Sequence, residues 1–245
     1  MKILVGIVTY YPNEESLSKT CEALNDYDVF IHDNTNDNIG IASALRKIMD
    51  HAVQNGYDWV LTLDQDSEIM PGLIEEYTEN VASDIGAMTC IIRDRNFEEK
   101  QQCGDVDWCI TSGCFMNVRA YLRTPGYDES LFIDMVDMDI CYSLKEAGFR
   151  IVRIPFEGLK HEVGYGKKTI LGYSYNHEPW RDYYIARNRL VVGNKHKIKG
   201  TKLRAYRDIA VVLLFEDNKK EKITMMRNGM ADACKYLGSN KGESI

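Results

Sequence analysis

The sequence predicts an α/β fold: a Rossmann-like, mostly parallel sheet flanked by helices, with a small helical C-terminal extension. Three observations predict it. Apolar runs of strand length alternate with stretches of helical spacing through the first half. The first three apolar runs each end in a polar loop, at Thr9-Tyr10, at Asp33-Asn34 and at Asp64-Gln65-Asp66. Within residues 196–245, Ile209 to Phe215 and Ile223 to Leu237 carry amphipathic helical patterns.

Ile3 to Thr9 is a nearly continuous apolar run, the pattern of a strand buried on both faces. A loop through Tyr10-Tyr11-Pro12-Asn13 leads to a helix over Glu14 to Asn25. Asp28 to His32 is the second strand. Ile41 to Asn55 repeats apolar residues at helical spacing through Ala44, Leu45, Ile48 and Ala52, and Gly56 stops it. Trp59 to Leu63 is the third strand, and Pro71 to Val81 a helix with proline at its start. Ile85 to Ile92 and Trp108 to Val118 read as strands on either side of a polar loop over Arg93 to Asp105. Asp137 to Ala147 reads as a helix closed by Gly148, Phe149 to Ile154 as a strand leading toward His161, and Tyr183 to Val192 as a helix. The expected division is a domain over 1–195, in two halves at 1–105 and 106–195, followed by a helical extension over 196–245.

Composition narrows the function. A chain of 245 residues with 44% hydrophobic and 27% charged residues can bury one large core. Its net charge of −7 argues against non-specific binding of nucleic acid. An acidic protein that handles an anionic nucleotide needs a cation to help. The seven cysteines are scattered without a C-x-x-C pair, which disfavours zinc and fits reduced thiols in a cytoplasm. The first residues are too short and β-branched a run for a secretory signal, and no stretch of about 18 apolar residues occurs. The expected location is therefore cytoplasmic, with the inner face of the cell membrane as a second setting.

In an α/β sheet, ligands bind beyond the carboxyl ends of the strands, where the three polar loops converge. Asp64 and Asp66 are two carboxylates two residues apart, a pattern that suits a hard divalent cation or a solvated turn. His161 is a candidate third ligand, giving a mixed set that accepts Mn²⁺ or Mg²⁺. Asp134, Asp137 and Asp139 lie among apolar residues at a helix start, where Asp137 reads either as a cap or as a general base. Arg181, Arg187 and Arg189, with Tyr183, Tyr184 and Asn188, read as a solvated helix face or as partners for a pyrophosphate or an acceptor.

Six stretches, in order, resemble the inverting family 2 glycosyltransferases of GT-A fold, and among them bacterial rhamnosyltransferases of surface-polysaccharide synthesis. They are Val5 to Tyr10, Asp33-Asn34, Asn38 to Ala42, Asp58 to Ser67, Phe132 to Asp137, and His161 with Gly164. The resemblance covers about residues 3–190 and implies roles for matching positions. Thr9 and Tyr10 would lie against the base and ribose, and Asp33 or Asn34 would bond the pyrimidine. Asp64, with Gln65 beside it, would face the ribose and metal, Asp66 would bind the cation, and His161 would complete the metal-diphosphate site. Ser112 and Gly113 would border the sugar pocket, and Asp137 would be the catalytic base. Arg46 stands where that group often has asparagine and is placed to pair with donor phosphate. Val136 replaces a frequent glutamate, and Ser143 a usual arginine.

The implied donor is a UDP- or dTDP-sugar, with rhamnose a candidate, and the implied acceptor a glycan or lipid-linked saccharide, with no nucleic acid. Two other readings keep the fold: a nucleotidyltransferase and a non-catalytic sugar-nucleotide binder. The first usually carries a Gly-rich basic loop after strand one, and Thr9 to Asn13 has neither feature. The second would lack the base or the metal ligands, all of which are present. Lys195, Lys197, Lys199, Lys202, Arg204 and Arg207 precede the apolar Ile209 to Phe215, a pattern of peripheral contact with an anionic membrane or of a solvated helix face.

Overall fold

The computed structural model describes residues 1–93, 101–160 and 166–239. These form two compact units, one of residues 1–132 with 136–162, the other of 133–135 with 163–245. The expected boundary at 195 falls inside the second unit, between two of its helices.

The first unit is organised by its sheet. β1 (Ile3–Thr9), β2 (Asp28–Asp33) and β3 (Trp59–Asp64) are parallel neighbours. β4 (Glu68–Ile69), β5 (Ile85–Arg93), β6 (Gly104–Val106), β7 (Cys114–Asn117) and β8 (Arg150–Lys160) complete it, in the order β2-β1-β3-β7-β5-β8-β4 with β6 on β8. β7 runs against both β3 and β5, so β5 and its parallel partner β8 point the same way as β1 to β3. The sheet is thus mostly parallel, with β4, β6 and β7 opposed.

Helices cover it. α1 (Glu14–Ala23) starts at Asn13, whose side chain accepts from the Ser16 N–H. α2 (Gly40–Gln54) buries Ala44, Leu45, Ile48 and Ala52, the stripe its spacing predicts. α3 (Leu73–Glu79), the short α4 (Val118–Tyr121) and α5 (Val136–Glu146) follow. The core joins Val5, Ile7, Leu61, Leu63, Met88 and Leu159. Phe115 stacks between Trp59 at 4.8 Å and Tyr77 at 5.1 Å, so the short β7 is anchored by aromatic packing.

Three expectations are corrected. The strand expected over Trp108 to Val118 is only Cys114–Asn117. Gly113 turns the chain at φ +76°, and its N–H bonds the Thr62 carbonyl. Asn117 then caps α4 by accepting from the Arg119 and Ala120 N–H groups, which converts the run's end into helix. The helix expected from Pro71 starts at Leu73, because Gly72 stands outside it in the left-handed region. β8 continues past Ile154 to Lys160, since its second half finds partners in β5 and β4.

The second unit holds the hairpin of β9 (Lys167–Thr169) and β10 (Gly172–Ser174), and the helices α6 (Pro179–Lys195), α7 (Thr201–Phe215) and α8 (Lys219–Ser239). α6 and α8 pack backbone to backbone at Gly229, where a β-carbon would collide with the Tyr183 carbonyl. Between them Ala186, Val212 and Met226 form a small core. A polar network is buried beside it. Lys222, 1% exposed, donates to Glu216 Oε2 at 2.9 Å and to Asn176 Oδ1 at 2.7 Å. Glu216 Oε1 accepts from the Ser174 hydroxyl and the Asn176 N–H. Burial pushes the neighbouring Asp182 carboxyl up to about 7.

The three arginines of α6 form neither a solvated face nor an array of open cations. Arg181 grips Asp134 with two nitrogens, Arg187 donates to Asn188 Oδ1 at 2.8 Å, and Arg189 pairs with Asp208 at 2.6 Å. Asp134 and Met135 sit at φ +64° and +66°, a conformation that strains residues with a β-carbon. The fully buried Asn188 stabilises it by donating to the carbonyls of Ile133 and Asp134.

Candidate active site at the strand ends of the first unit

Register fixes the first part of the site. Thr9 pairs with Asp33, and Val8 with Asp64, so the ends of β1, β2 and β3 lie side by side. Thr9 is buried and donates to Asp33 Oδ1 at 3.2 Å. The Thr35 hydroxyl and N–H also bond that oxygen and hold the exposed Asp33 carboxyl below the usual range. Asn34 is buried, and its amide is committed to its own loop, toward the Gly40 carbonyl and the Ile39 N–H. Of the two pyrimidine candidates, Asp33 is thus the exposed one. Gly40 lies at φ +82° against the Phe132 backbone, a close approach that admits only glycine.

Gln65 joins two of the loops. Its Oε1 accepts from the Tyr10 N–H at 2.6 Å, and its Nε2 donates to the Tyr10 carbonyl at 3.1 Å. This two-point clamp fixes the backbone of Tyr10, whose ring is half exposed and meets Tyr11 edge to face. No sequence pattern announces it.

Asp64 is half-buried and Asp66 exposed, one on each side of that clamp. The Asp64 N–H donates to Ser112 Oγ at 3.2 Å, and Ser112 Oγ lies 2.5 Å from Ser67 Oγ. The Gly113 carbonyl accepts from the Tyr77 hydroxyl at 2.6 Å. Ser112 and Gly113 therefore anchor the 109–113 segment beside the aspartate pair. Arg46 points elsewhere: its guanidinium donates to the Tyr127 carbonyl at 3.0 Å and faces that of Pro125.

Asp137 stands half-buried in the first turn of α5, its Oδ1 accepting the Met138 N–H at 2.8 Å. One turn further along α5, Cys141 lies 3.9 Å from Cys109, at the start of the same 109–113 segment. The Cys109 thiol is pushed well up by its contact with Cys114 and by burial, and the nearby Asp137 charge adds to the effect. The Cys141 thiol, 3.9 Å from Cys109, is raised by that contact, by burial and by Asp137 as well.

Among the described residues no three His, Cys, Asp or Glu side chains gather as a metal cluster. His161 lies outside the described residues. β8, the strand leading to it, ends at Lys160, which pairs with Glu68 two residues beyond Asp66. The oxygen donors Asp64 and Asp66 suit Mg²⁺ or Mn²⁺ by their chemistry.

The sheet order and the strand-end loops define a class, the GT-A glycosyltransferase fold. S. aureus TarS in complex with UDP-GlcNAc superposes with a TM-score of 0.59 at 12% identity, covering 95% of this chain and 80% of that one. A longer TarS chain gives 0.61 at 12% identity, covering 95% of this chain, which spans about half (48%) of it. GalNAc-T7 with UDP, GalNAc and Mn²⁺ gives 0.60 at 12% identity, covering 98% and 57%. At such identities the likeness is one of fold.

In sequence the chain is rhamnosyltransferase-like. It is 25% identical to the dTDP-rhamnosyl transferase RfbF of Shigella flexneri, over 80% of this chain and 81% of that protein. It is 30% identical to the rhamnosyltransferase WbbL of Escherichia coli K12, over 35% and 33%. No family model matches the chain.

Proposed function

We propose that this protein is an inverting, metal-dependent glycosyltransferase of polysaccharide synthesis. It moves a sugar from a dTDP- or UDP-sugar to a hydroxyl of a glycan or lipid-linked acceptor. The observation that carries the reading is the convergence of Tyr10, Asp33, Asp64 and Asp66 at one strand edge, with α5, which starts at Val136 and carries Asp137, set against the 109–113 segment through Cys141. The relative named for dTDP-rhamnose supports that donor. The alternative binder and nucleotidyltransferase readings find no such support.

The chain's residues divide the work. Tyr10, held by Gln65, lies where a base or ribose would pack, with the exposed Asp33 beside it. Asp64 and Asp66, with His161 as the expected third ligand, would hold Mn²⁺ or Mg²⁺. That ion would offset the charge developing on the leaving diphosphate. Asp137 takes the proton of the acceptor hydroxyl as its oxygen bonds to the anomeric carbon. The bond from that carbon to the diphosphate oxygen breaks, and the nucleoside diphosphate leaves with the electron pair. Attack opposite the leaving group inverts the centre, without a glycosyl-enzyme intermediate. Isothermal titration with dTDP and UDP in Mn²⁺ should show binding that EDTA or Asp66→Asn weakens by about tenfold or more. Absence of binding by either nucleotide overturns the donor assignment.

Peripheral contact with an anionic membrane, where lipid-linked acceptors reside, is supported by α7. Among the described residues no helix is long and apolar enough to cross a membrane. α7 buries Ala205, Val211 and Val212, yet leaves Leu203 75%, Tyr206 63% and Leu214 60% exposed. Lys202, Arg204 and Arg207 are exposed beside them. The protein should float with vesicles containing phosphatidylglycerol and not with neutral ones, and Leu203→Glu/Leu214→Glu should abolish it. A concentration-dependent dimer without vesicle binding would assign the face to a second copy.

A further inference from the structure

Immediately ahead of α5, three residues with β-carbons lie in the left-handed region: Phe132 at φ +61°, Asp134 at +64° and Met135 at +66°. Phe132, at ψ −64°, occupies the rare and strained γ-turn region. Glycine adopts such angles without a steric clash, yet no glycine stands between Phe132 and Met135. Conformations of this kind persist only where the surroundings over-determine them, and they gather at working sites.

The holding is done largely by side chains of α6. Arg187 donates to Asn188 Oδ1 at 2.8 Å, which turns the amide nitrogen of Asn188 the other way. That nitrogen donates to the Ile133 carbonyl at 2.7 Å and to the Asp134 carbonyl at 3.1 Å. Asn188 is fully buried, so water cannot take the place of its amide. Arg181 grips the Asp134 carboxylate at two points, Nη2 on Oδ1 at 2.9 Å and Nε on Oδ2 at 3.1 Å. The Phe132 carbonyl accepts the Ala42 N–H, so three successive carbonyls are tied down.

The next two residues give this holding its use. α5 begins at Val136 and carries Asp137 in its first turn. A helix has a fixed rise and turn per residue, so the dihedrals of Asp134 and Met135 set the direction in which α5 starts, and with it the place of the Asp137 carboxylate. A general base works only within hydrogen-bond reach of the proton it takes, and a misplacement of about 1 Å costs about 10²-fold in rate. An ordinary capped start needs no strain. This one is strained and is held by a buried amide and a two-point arginine.

We propose that Asn188 and Arg181 are positioning residues, which hold Ile133 to Met135 in the strained form that aims Asp137 at the acceptor hydroxyl. This rests on the glycosyltransferase reading, in which Asp137 is the base, and names residues that act through it.

The test is a double-mutant cycle on kcat, read as release of dTDP from dTDP-rhamnose or of UDP from UDP-hexoses by the full chain with Mn²⁺. Asn188→Asp keeps the size and the oxygen that faces Arg187 but removes the donor. It should lower kcat by about tenfold to 10²-fold, with KM for the donor within about twofold of native. In an Asp137→Asn background the same change should cost less than about twofold, because no base is left to aim. Met135→Gly added to Asn188→Asp should restore part of the rate, since glycine keeps that angle unaided. Arg181→Lys, at a partly exposed position, carries the same cycle if Asn188→Asp does not fold. The inference is overturned if the loss is equal in both backgrounds, or if neither Asn188→Asp nor Arg181→Lys changes kcat. Asp137→Asn as active as the native protein overturns the base assignment instead, and no turnover of either donor by the native protein overturns the donor assignment.

Discussion

Asp137→Asn should reduce kcat for sugar transfer by about 10²–10⁴-fold while leaving nucleotide affinity within about twofold of native. The amide is nearly isosteric and keeps an oxygen to accept the Met138 N–H that Asp137 now accepts at 2.8 Å. The start of α5 should therefore survive, and thermal unfolding of the variant should match the native protein. What the amide cannot do is take a proton from the acceptor hydroxyl. Asp137→Glu should recover a small part of the rate, because it restores the carboxylate in the wrong place. Rates measured by nucleotide release with and without acceptor decide the matter. A variant as active as the native protein would remove Asp137 from the mechanism.

Lys222→Met should produce the largest loss of stability, about 3–5 kcal/mol, and lower the thermal midpoint by roughly 6–20 °C. Lys222 is 1% exposed and is the cation for the buried Glu216. Methionine fills most of the volume but strands the carboxylate and leaves Asn176 Oδ1 without its Lys222 bond. Burial alone would push the Glu216 carboxyl up. Lys222, the Ser174 hydroxyl and the Asn176 N–H favour the charged form more, so the net shift is down.

A carboxyl lowered in the folded state adds stability above its unfolded value, and that contribution is lost as pH falls through the folded value. In the variant the sign reverses, since burial acts without the lysine. The gap between native and variant midpoints should thus be wide near neutral pH and should narrow as pH falls through the ordinary carboxyl range toward the lowered value of native Glu216. Lys222→Met with Glu216→Leu should recover most of the loss, because a buried pair replaced as a unit leaves no stranded charge. Equal midpoints for native protein and Lys222→Met at neutral pH would refute this account.

Much of the first unit was legible in the residues because its signals are local. Ile3 to Thr9, Asp28 to Asp33 and Trp59 to Asp64 are apolar or β-branched runs broken by polar groups, and the structure makes each a strand of the same direction. The stripe of Ala44, Leu45, Ile48 and Ala52 fixes which face of α2 is buried. β7 lies inside the strand expected over Trp108 to Val118, but its shortness and its antiparallel direction were not legible, since the direction is set by β3 and β5 on either side. Lys219-Lys220-Glu221-Lys222 is a run of four charged residues with no apolar pattern, and packing buries only the last of them. Arg46 reads as a phosphate partner and instead holds the backbone at Tyr127.

The sequence by itself determined where the first three strands end and which polar side chains follow them, because their apolar runs stop there. It thereby placed Thr9, Asp33, Asp64 and Asp66 on one edge. Only the tertiary structure decided what those side chains meet: Gln65 clamping Tyr10, Ser112 tied to Asp64, and Cys141 of α5 set against Cys109. These are contacts between residues tens of positions apart. Their energy depends on burial and hydrogen-bond geometry that no local pattern encodes.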